Sequence, residues 1–337
     1  MSAPSLHRHR HDPGSGHGPG VGHGPGHGHD HPGPVAPAPE LVEVAEDVYA
    51  YVQPPGGWCL SNAGVLVGAD GAVVVDTLAT ESRARRLLAT VDGLRPGPAR
   101  TLVNTHHHGD HVFGNHLFGR AASIVAHEHA RTAMAHTGLA LTGLWPDVAW
   151  GDVRVTLPTL TFRHPVTLHL GERRIELVPL GPAHTTGDVV VWLPDERVLF
   201  AGDVVLSGST PFNLMGSIGG GIEAVAQLAA LGAETVVCGH GPVTGPDVFA
   251  ETSAYLRWIQ ALAAEGLAHG LTPLELAREA GLGDFGHLLD PERIVGNLHR
   301  AYAEQAPDDL RVPEPEPAGV FAEMVAYNGG RLPECLA

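Results

Sequence analysis

The spacing of apolar residues divides the chain into two unlike parts. Over residues 1–39 apolar side chains are sparse and Gly, Pro and His dominate, with eight histidines. Such a segment cannot bury enough surface to offset its ordering entropy, so it is predicted to be disordered. From Leu41 short apolar runs begin. "LVEVAEDVYAYVQ" predicts a strand or hairpin, and "NAGVLVGADGAVVVDT" a hairpin turning at "ADG". "ESRARRLLATVDGL" switches to the helical period, with Leu87, Leu88 and Val91 on one face. "ARTLVNTH" reads as a further buried strand. Strand, helix, strand in this order predicts an α/β layer.

The second half repeats that texture. "VTLHLGERRIELVPL" predicts a hairpin turning at "GER", and "DVVVWLPDERVLFAGDVVL" one turning at "PDE". A helix over Glu223–Leu231, a strand "ETVVCGH" and a long helix from about Asp247 to His269 follow. Helices at "TPLELAREA" and "DPERIVGNLHRAYAEQ" come last. Two sheet-forming halves, each followed by helices, point to an αββα sandwich. The expected division is a tail over 1–39, a catalytic domain over 40–246, and C-terminal helices over 247–337 on or near the active site.

Composition narrows the chemistry. The formal net charge is −17 with histidine neutral, which disfavours nucleic acid as a partner. No lysine is present, so Schiff-base and P-loop lysine chemistry are excluded. No run reaches the roughly 18 apolar residues of a membrane span, and no apolar leader opens the chain. A cytoplasmic protein is expected, with homo-oligomerisation left open. The three cysteines, Cys59, Cys238 and Cys335, are widely spaced. That predicts isolated reduced thiols at Cys59 and Cys335, and a packed strand-end residue at Cys238.

The densest chemistry lies in "NTHHHGDH", residues 104–111. In extended backbone alternate side chains share a face, so His106 and His108 can act together while His107 points elsewhere. Asp110 and His111 then turn back as a helix begins. Imidazole and carboxylate are the ligands of hydrolytic metals, and these residues are too many for one open tetrahedral site. They suit two adjacent ions completed from elsewhere. "GPAHTTGD" places His184 after an apolar strand, "VLFAGDVV" places Asp203, and "VVCGHGPV" places His240. Each follows the same order of apolar strand, small residue and ligand type, at loop positions where sites are built.

This set resembles the metallo-β-lactamase-fold hydrolases over residues 41–245. The resemblance implies an α/β metallo-β-lactamase sandwich with a C-terminal helical extension. It implies one zinc on His106, His108 and His184, a second on Asp110, His111 and His240, and Asp203 bridging them. Fe and Mn accept the same ligands. Asp76 of "VVVDT" would orient the ligand loop, and Asp110 would relay a proton to the leaving group. Class B1 lactamases carry cysteine where Asp203 stands, and flavodiiron proteins carry Glu where His108 stands. Glyoxalase II uses basic residues for glutathione, whereas this C-terminal part is acidic.

"PPGGWCLSNAGVLVG", "ALTGLWPDVAW", "SGSTPFNLMGSIGG" and "VAYNGGRLPECLA" resemble a narrower group, the zinc-dependent cyclase/thioesterases of actinomycete aromatic polyketide pathways, actinorhodin type. That likeness implies ring closure and thioester release on a polyketide held by acyl carrier protein. Trp58, Leu144, Trp145, Trp150, Phe212, Leu214 and Met215 are candidates for the walls of such a pocket. Arg83, Arg85 and Arg86 are candidates for docking the acidic carrier. Two other readings stay open: a general hydrolase of lactones, thioesters or other carbonyl esters, and a metal-binding protein centred on the His-rich tail.

Overall fold

The computed structural model describes residues 36–69, 71–94, 101–118, 122–309 and 314–337. The expected disorder of residues 1–39 falls almost wholly outside them. Residues 35–337 form one compact unit, so the helices after Asp247 share it with the sheets.

The first sheet opens with a meander. β1 (Glu40–Ala45), β2 (Val48–Val52), β3 (Ala63–Gly68) and β4 (Gly71–Val75) pair antiparallel in sequence order. α1 (Glu81–Leu94) then crosses over to β5 (Thr101–Val103), which is parallel to β4. β6 (Ser123–His127) and β7 (Leu160–Phe162) extend the parallel half. The second sheet has the order β12-β11-β10-β9-β8. β8 (Val166–Leu170), β9 (Arg173–Pro179), β10 (Val189–Leu193) and β11 (Val198–Gly202) are antiparallel neighbours, and β12 (Thr235–Cys238) joins β11 in parallel.

The side-chain period of two explains the layering. In β10, Val189, Val191 and Leu193 face the other sheet, packing with Val73, Val75 and Val103. Val190 and Trp192 face outward and are covered by α6 (Ile218–Leu231) and α7 (Asp247–His269). On the first sheet Val74 and Leu102 face outward against Leu87 and Val91 of α1. A strand buried on both faces reads as a continuous apolar run, as "VVVWL" does. Each fully buried Val or Leu stabilises by about 1.5–3 kcal/mol, and the four layers follow from these paired faces.

α8 (Pro273–Ala280), α9 (Arg293–Gln305) and α10 (Pro317–Tyr327) complete the unit. They pack with α7 and with Phe212, Leu214 and Ile218 in one cluster. α6 begins five residues earlier than the apolar period suggests. Ser217 caps it by accepting from the Gly220 N–H, and that cap admits the run of glycines into the first turns. α10 is absent from the sequence reading. Its signals are Glu316, whose side chain accepts from the Ala318 and Gly319 N–H groups, and Pro317 at the first helical position.

Candidate metal centre

The ligand candidates follow strands that point the same way. β9 and β11 are both antiparallel to β10 and therefore co-directional, and β12 is parallel to β11. His184, Asp203 and His240 leave the C-terminal ends of these three strands, and Asp76 and the 104–111 loop follow β4 and β5. The glycines beside them make room. A Cβ on Gly239 would lie 1.8 Å from Asp203 Oδ1, and one on Gly202 would lie 2.8 Å from Thr105 Cβ. The glycines before Asp203 and His240 are thus packing requirements.

Two groups of converging ligand atoms result. His106, His108, His184 and Asp203 form one, and Asp110, His111 and His240 the other. Asp203 spans them: its carboxylate lies 3.2 Å from His111 Nε2, and 3.5 Å from both His184 Nε2 and His240 Nε2. Asp110 Oδ2 lies 3.2 Å from His240 Nε2 and 3.8 Å from His111 Nε2.

The outer hydrogen bonds aim the rings. Thr105 Oγ1 donates its only proton to Asp76, so His106 Nδ1 donates to Thr105 Oγ1 at 3.0 Å. His111 Nδ1 donates to Asp76 at 2.8 Å, His240 Nδ1 to the Gly57 carbonyl at 3.1 Å, and His184 Nδ1 to the Phe212 carbonyl. With each Nδ1 engaged, each Nε2 faces the shared volume. His106 Nε2 and His108 Nε2 are buried without a hydrogen-bond partner. His108 Nδ1 and His184 Nε2 face each other at 2.9 Å. Buried polar atoms are normally satisfied, and orphaned imidazole nitrogens beside the Asp203 carboxylate fit a divalent cation of the Zn, Fe or Mn type.

Electrostatics separates the two groups. Burial, reinforced by neighbouring histidines, holds His106 and His108 well below the usual imidazole range. Burial also opposes charge on His240, but Asp203 and Asp110 outweigh it and raise it to about 9. His111 is raised in the same way by Asp203, Asp110 and Asp76. Asp203 is held well below the carboxylate range because His240 and His111 overcome its burial.

The ligand loop departs from the expected strand. β5 stops at Val103, and residues 105–107 form bends. His106 and His108 still come together, with ring centroids 4.7 Å apart, while His107 stays outside both groups. His107 is nevertheless buried and lines a cavity.

That cavity, of about 440 Å³, opens from the ligands. Trp58, Leu144, Phe212, Leu214 and Met215 line it. Trp145 and Trp150 do not. They pack behind the wall, Trp145 Nε1 donating to the Pro333 carbonyl and Trp150 Nε1 to the Trp145 carbonyl. Both indoles have satisfied N–H groups inside a core, so burial and not a ligand explains them. Sequence reasoning missed His107, Phe113, Arg293, Phe321 and Met324 as lining residues. The last two sit three apart on one face of the unread α10, and that helix was the signal available.

Of the arginines on α1, Arg83 donates to Gln53 and to the Leu336 carbonyl, and Arg85 pairs with Glu81 on the exposed face. Cys59 and Cys335 are free thiols as expected, but they are not isolated, since their side chains interact within one cluster. Cys238 is a packed strand-end residue, and burial pushes its thiol up.

Among the described residues no helix is long and apolar enough to cross a membrane. Similarities to known proteins agree with the site. The chain is 30% identical over 145 residues to the 2,4-dinitroanisole O-demethylase subunit alpha of Nocardioides, covering 42% of this chain and 40% of that one. It is 24% identical to a type 2 metallo-beta-lactamase of Bacteroides fragilis, covering 48% and 61%. It is 29% identical to a hydroxyacylglutathione hydrolase of Methylococcus capsulatus, covering 74% and 87%. The chain thus spans well under two thirds of the first relative's length. A metallo-beta-lactamase from Pontibacter korlensis shares the fold at a TM-score of 0.53 and 22% identity, covering 65% of this chain and 99% of that one. DIM-1 metallo-beta-lactamase gives 0.54 at 21% identity, covering 66% and 99%. The sequence model of the Metallo-beta-lactamase superfamily matches residues 56–240, and the chain belongs to that superfamily.

Proposed function

We propose that the chain is a dizinc cyclase/thioesterase acting on an aromatic polyketide thioester held by acyl carrier protein. The observation that carries this reading is the cavity of about 440 Å³ running from the ligand groups between Trp58, Phe212, Leu214, Met215 and Phe321. A flat, partly aromatised acyl group matches such walls, and a small polar substrate does not. Two relatives support acyl-group hydrolysis by name: the hydroxyacylglutathione hydrolase, and an acyl-coenzyme A thioesterase, MBLAC2, of Bos taurus, 29% identical over 110 residues and 39% of its length.

The two ligand groups would hold the ions, which supply an activated water and a Lewis acid for the carbonyl. The protein does the rest. Phe212 serves twice, its carbonyl fixing His184 and its ring walling the cavity. The aromatic walls hold the acyl chain with its carbonyl at the ligands and limit competing water. Asp110, within reach of His240 and facing the cavity, passes the proton to the departing thiol.

The test uses acyl-thioester analogues and a polyketide thioester with the metal-loaded protein. Hydrolysis together with a ring-closed product, both abolished by His108→Ala, is the expected result. Hydrolysis with no ring-closed product favours a general metallo-hydrolase. Loss of function on deleting residues 1–39, with His108→Ala still active, would overturn the hydrolase reading in favour of a metal-carrying tail.

A further inference from the structure

Cys59 and Cys335 lie near opposite ends of the described chain and pack into one cluster beside the cavity. Cys59 sits in the loop between β2 and β3, 1% exposed, at φ 62. Non-glycine residues avoid that left-handed region, so the surroundings dictate where its thiol points. The chain after α10 is anchored on both sides of Cys335. The Pro333 carbonyl accepts from Trp145 Nε1 at 2.8 Å, and the Leu336 carbonyl accepts from Arg83 Nη2 at 2.7 Å. These anchors pack Cys335 against the cluster that contains Cys59, Trp145 and Trp150. The two side chains interact with each other within that cluster. Cys59 lines the cavity, and Cys335 is partly exposed, so a small solute can reach the latter. Cys238 belongs to a different cluster, under Asp203.

We propose that Cys59 and Cys335 are an oxidisable pair that a hydroperoxide closes to an intramolecular disulfide. This inference is independent of the proposed polyketide substrate. The contact with Cys59 lowers the pKa of Cys335, whereas the same contact and burial raise that of Cys59. Cys335 is therefore the attacking sulfur. Its thiolate attacks one peroxide oxygen, the O–O bond breaks, and a sulfenic acid forms with release of water after proton uptake. The sulfur of Cys59 then attacks the sulfenic sulfur. The S–S bond forms, the S–O bond breaks, and the leaving hydroxide takes the Cys59 proton as a second water. Two thiols are oxidised by two electrons and one hydroperoxide is reduced. The link ties the C-terminal segment to the loop that carries Trp58, and so fixes one cavity wall.

The experiment treats the full metal-loaded chain with hydrogen peroxide, then denatures it, counts thiols and maps peptides. Free thiols should fall from three to one per chain, with a Cys59–Cys335 peptide link that dithiothreitol reverses. Cys238→Ser should keep the link, and Cys335→Ser should abolish it. Three surviving thiols, Cys335 carried to the sulfinic acid with Cys59 still free, or a link between chains would each overturn the proposal. The wild-type map decides the matter even where a variant fails to fold.

Discussion

Asp76 holds His111 and the start of the ligand loop with a single carboxylate. Its Oδ2 accepts from His111 Nδ1 at 2.8 Å and from Thr105 Oγ1 at 2.7 Å, and its Oδ1 accepts from the Thr105 N–H at 2.8 Å. Asparagine offers one acceptor oxygen, and its amide can only donate. Asp76→Asn therefore leaves either His111 or the loop without its acceptor. Metal affinity should fall about 10–100-fold, the usual cost of losing an outer hydrogen bond to a ligating histidine. Chelator competition measures this, with circular dichroism to confirm an intact fold. An unchanged affinity would show that the ring needs no such brace.

His107 and His108 should separate cleanly. Burial pushes His107 down to about 4, so it is neutral near pH 7, and its ring lies outside both ligand groups. His108 faces His184 across 2.9 Å. His107→Ala should keep its full metal content and change mainly KM, because it lines the cavity. His108→Ala should lose metal and turnover together. Equal metal loss in both variants would refute the division.

The candidate ligands His184, Asp203 and His240 were legible because each follows an apolar strand and a small residue, a local pattern with a local cause. Gly239 shows the cause, since any Cβ there would strike Asp203. The layering was legible for a similar reason: "VVVWL" is apolar at every position because both faces are covered. The aromatic residues were not separable. Trp58 and Trp145 have the same chemistry, and what distinguishes them is a partner far along the chain, Glu292 for one and the Pro333 carbonyl for the other. The same holds for Cys59 and Cys335, whose contact depends on where the C-terminal segment ends up. His107 was placed off the metals by an alternation that the bent loop does not follow, so its exclusion rests on the geometry alone.

Metal loading should depend on pH in a direction fixed by the two ligand groups. In the metal-free chain His240, raised to about 9, and His111, raised above its usual value, both carry protons at pH 7. A cation must displace them. His106 and His108 are pushed down by burial and present free lone pairs. The His106–His108–His184 group should therefore fill first. The Asp110–His111–His240 group should tighten as pH rises toward 9 and release protons as it fills. Titrating metal into a chain lacking residues 1–39, across buffers of different ionisation enthalpy, reads both effects. Equal, pH-independent filling of two sites would contradict it.

Trp58 and Glu292 supply a stability test away from the ligands. Trp58 Nε1 donates to Glu292 Oε1 at 2.6 Å, and Glu292 is 3% exposed. The Arg293 guanidinium lies 4.1 Å over the indole. Trp58→Phe keeps an aromatic face under Arg293 and removes only the donor. The buried carboxylate then loses the partner that offset its desolvation, at a cost of about 1–3 kcal/mol. In a Glu292→Leu background, which has no acceptor, the same change should cost less, because no buried carboxylate is left unpaired. A double-mutant cycle by urea denaturation should give a coupling of about 0.5–3 kcal/mol. Additive effects would mean that the bond contributes nothing to stability and that Trp58 is held by packing alone.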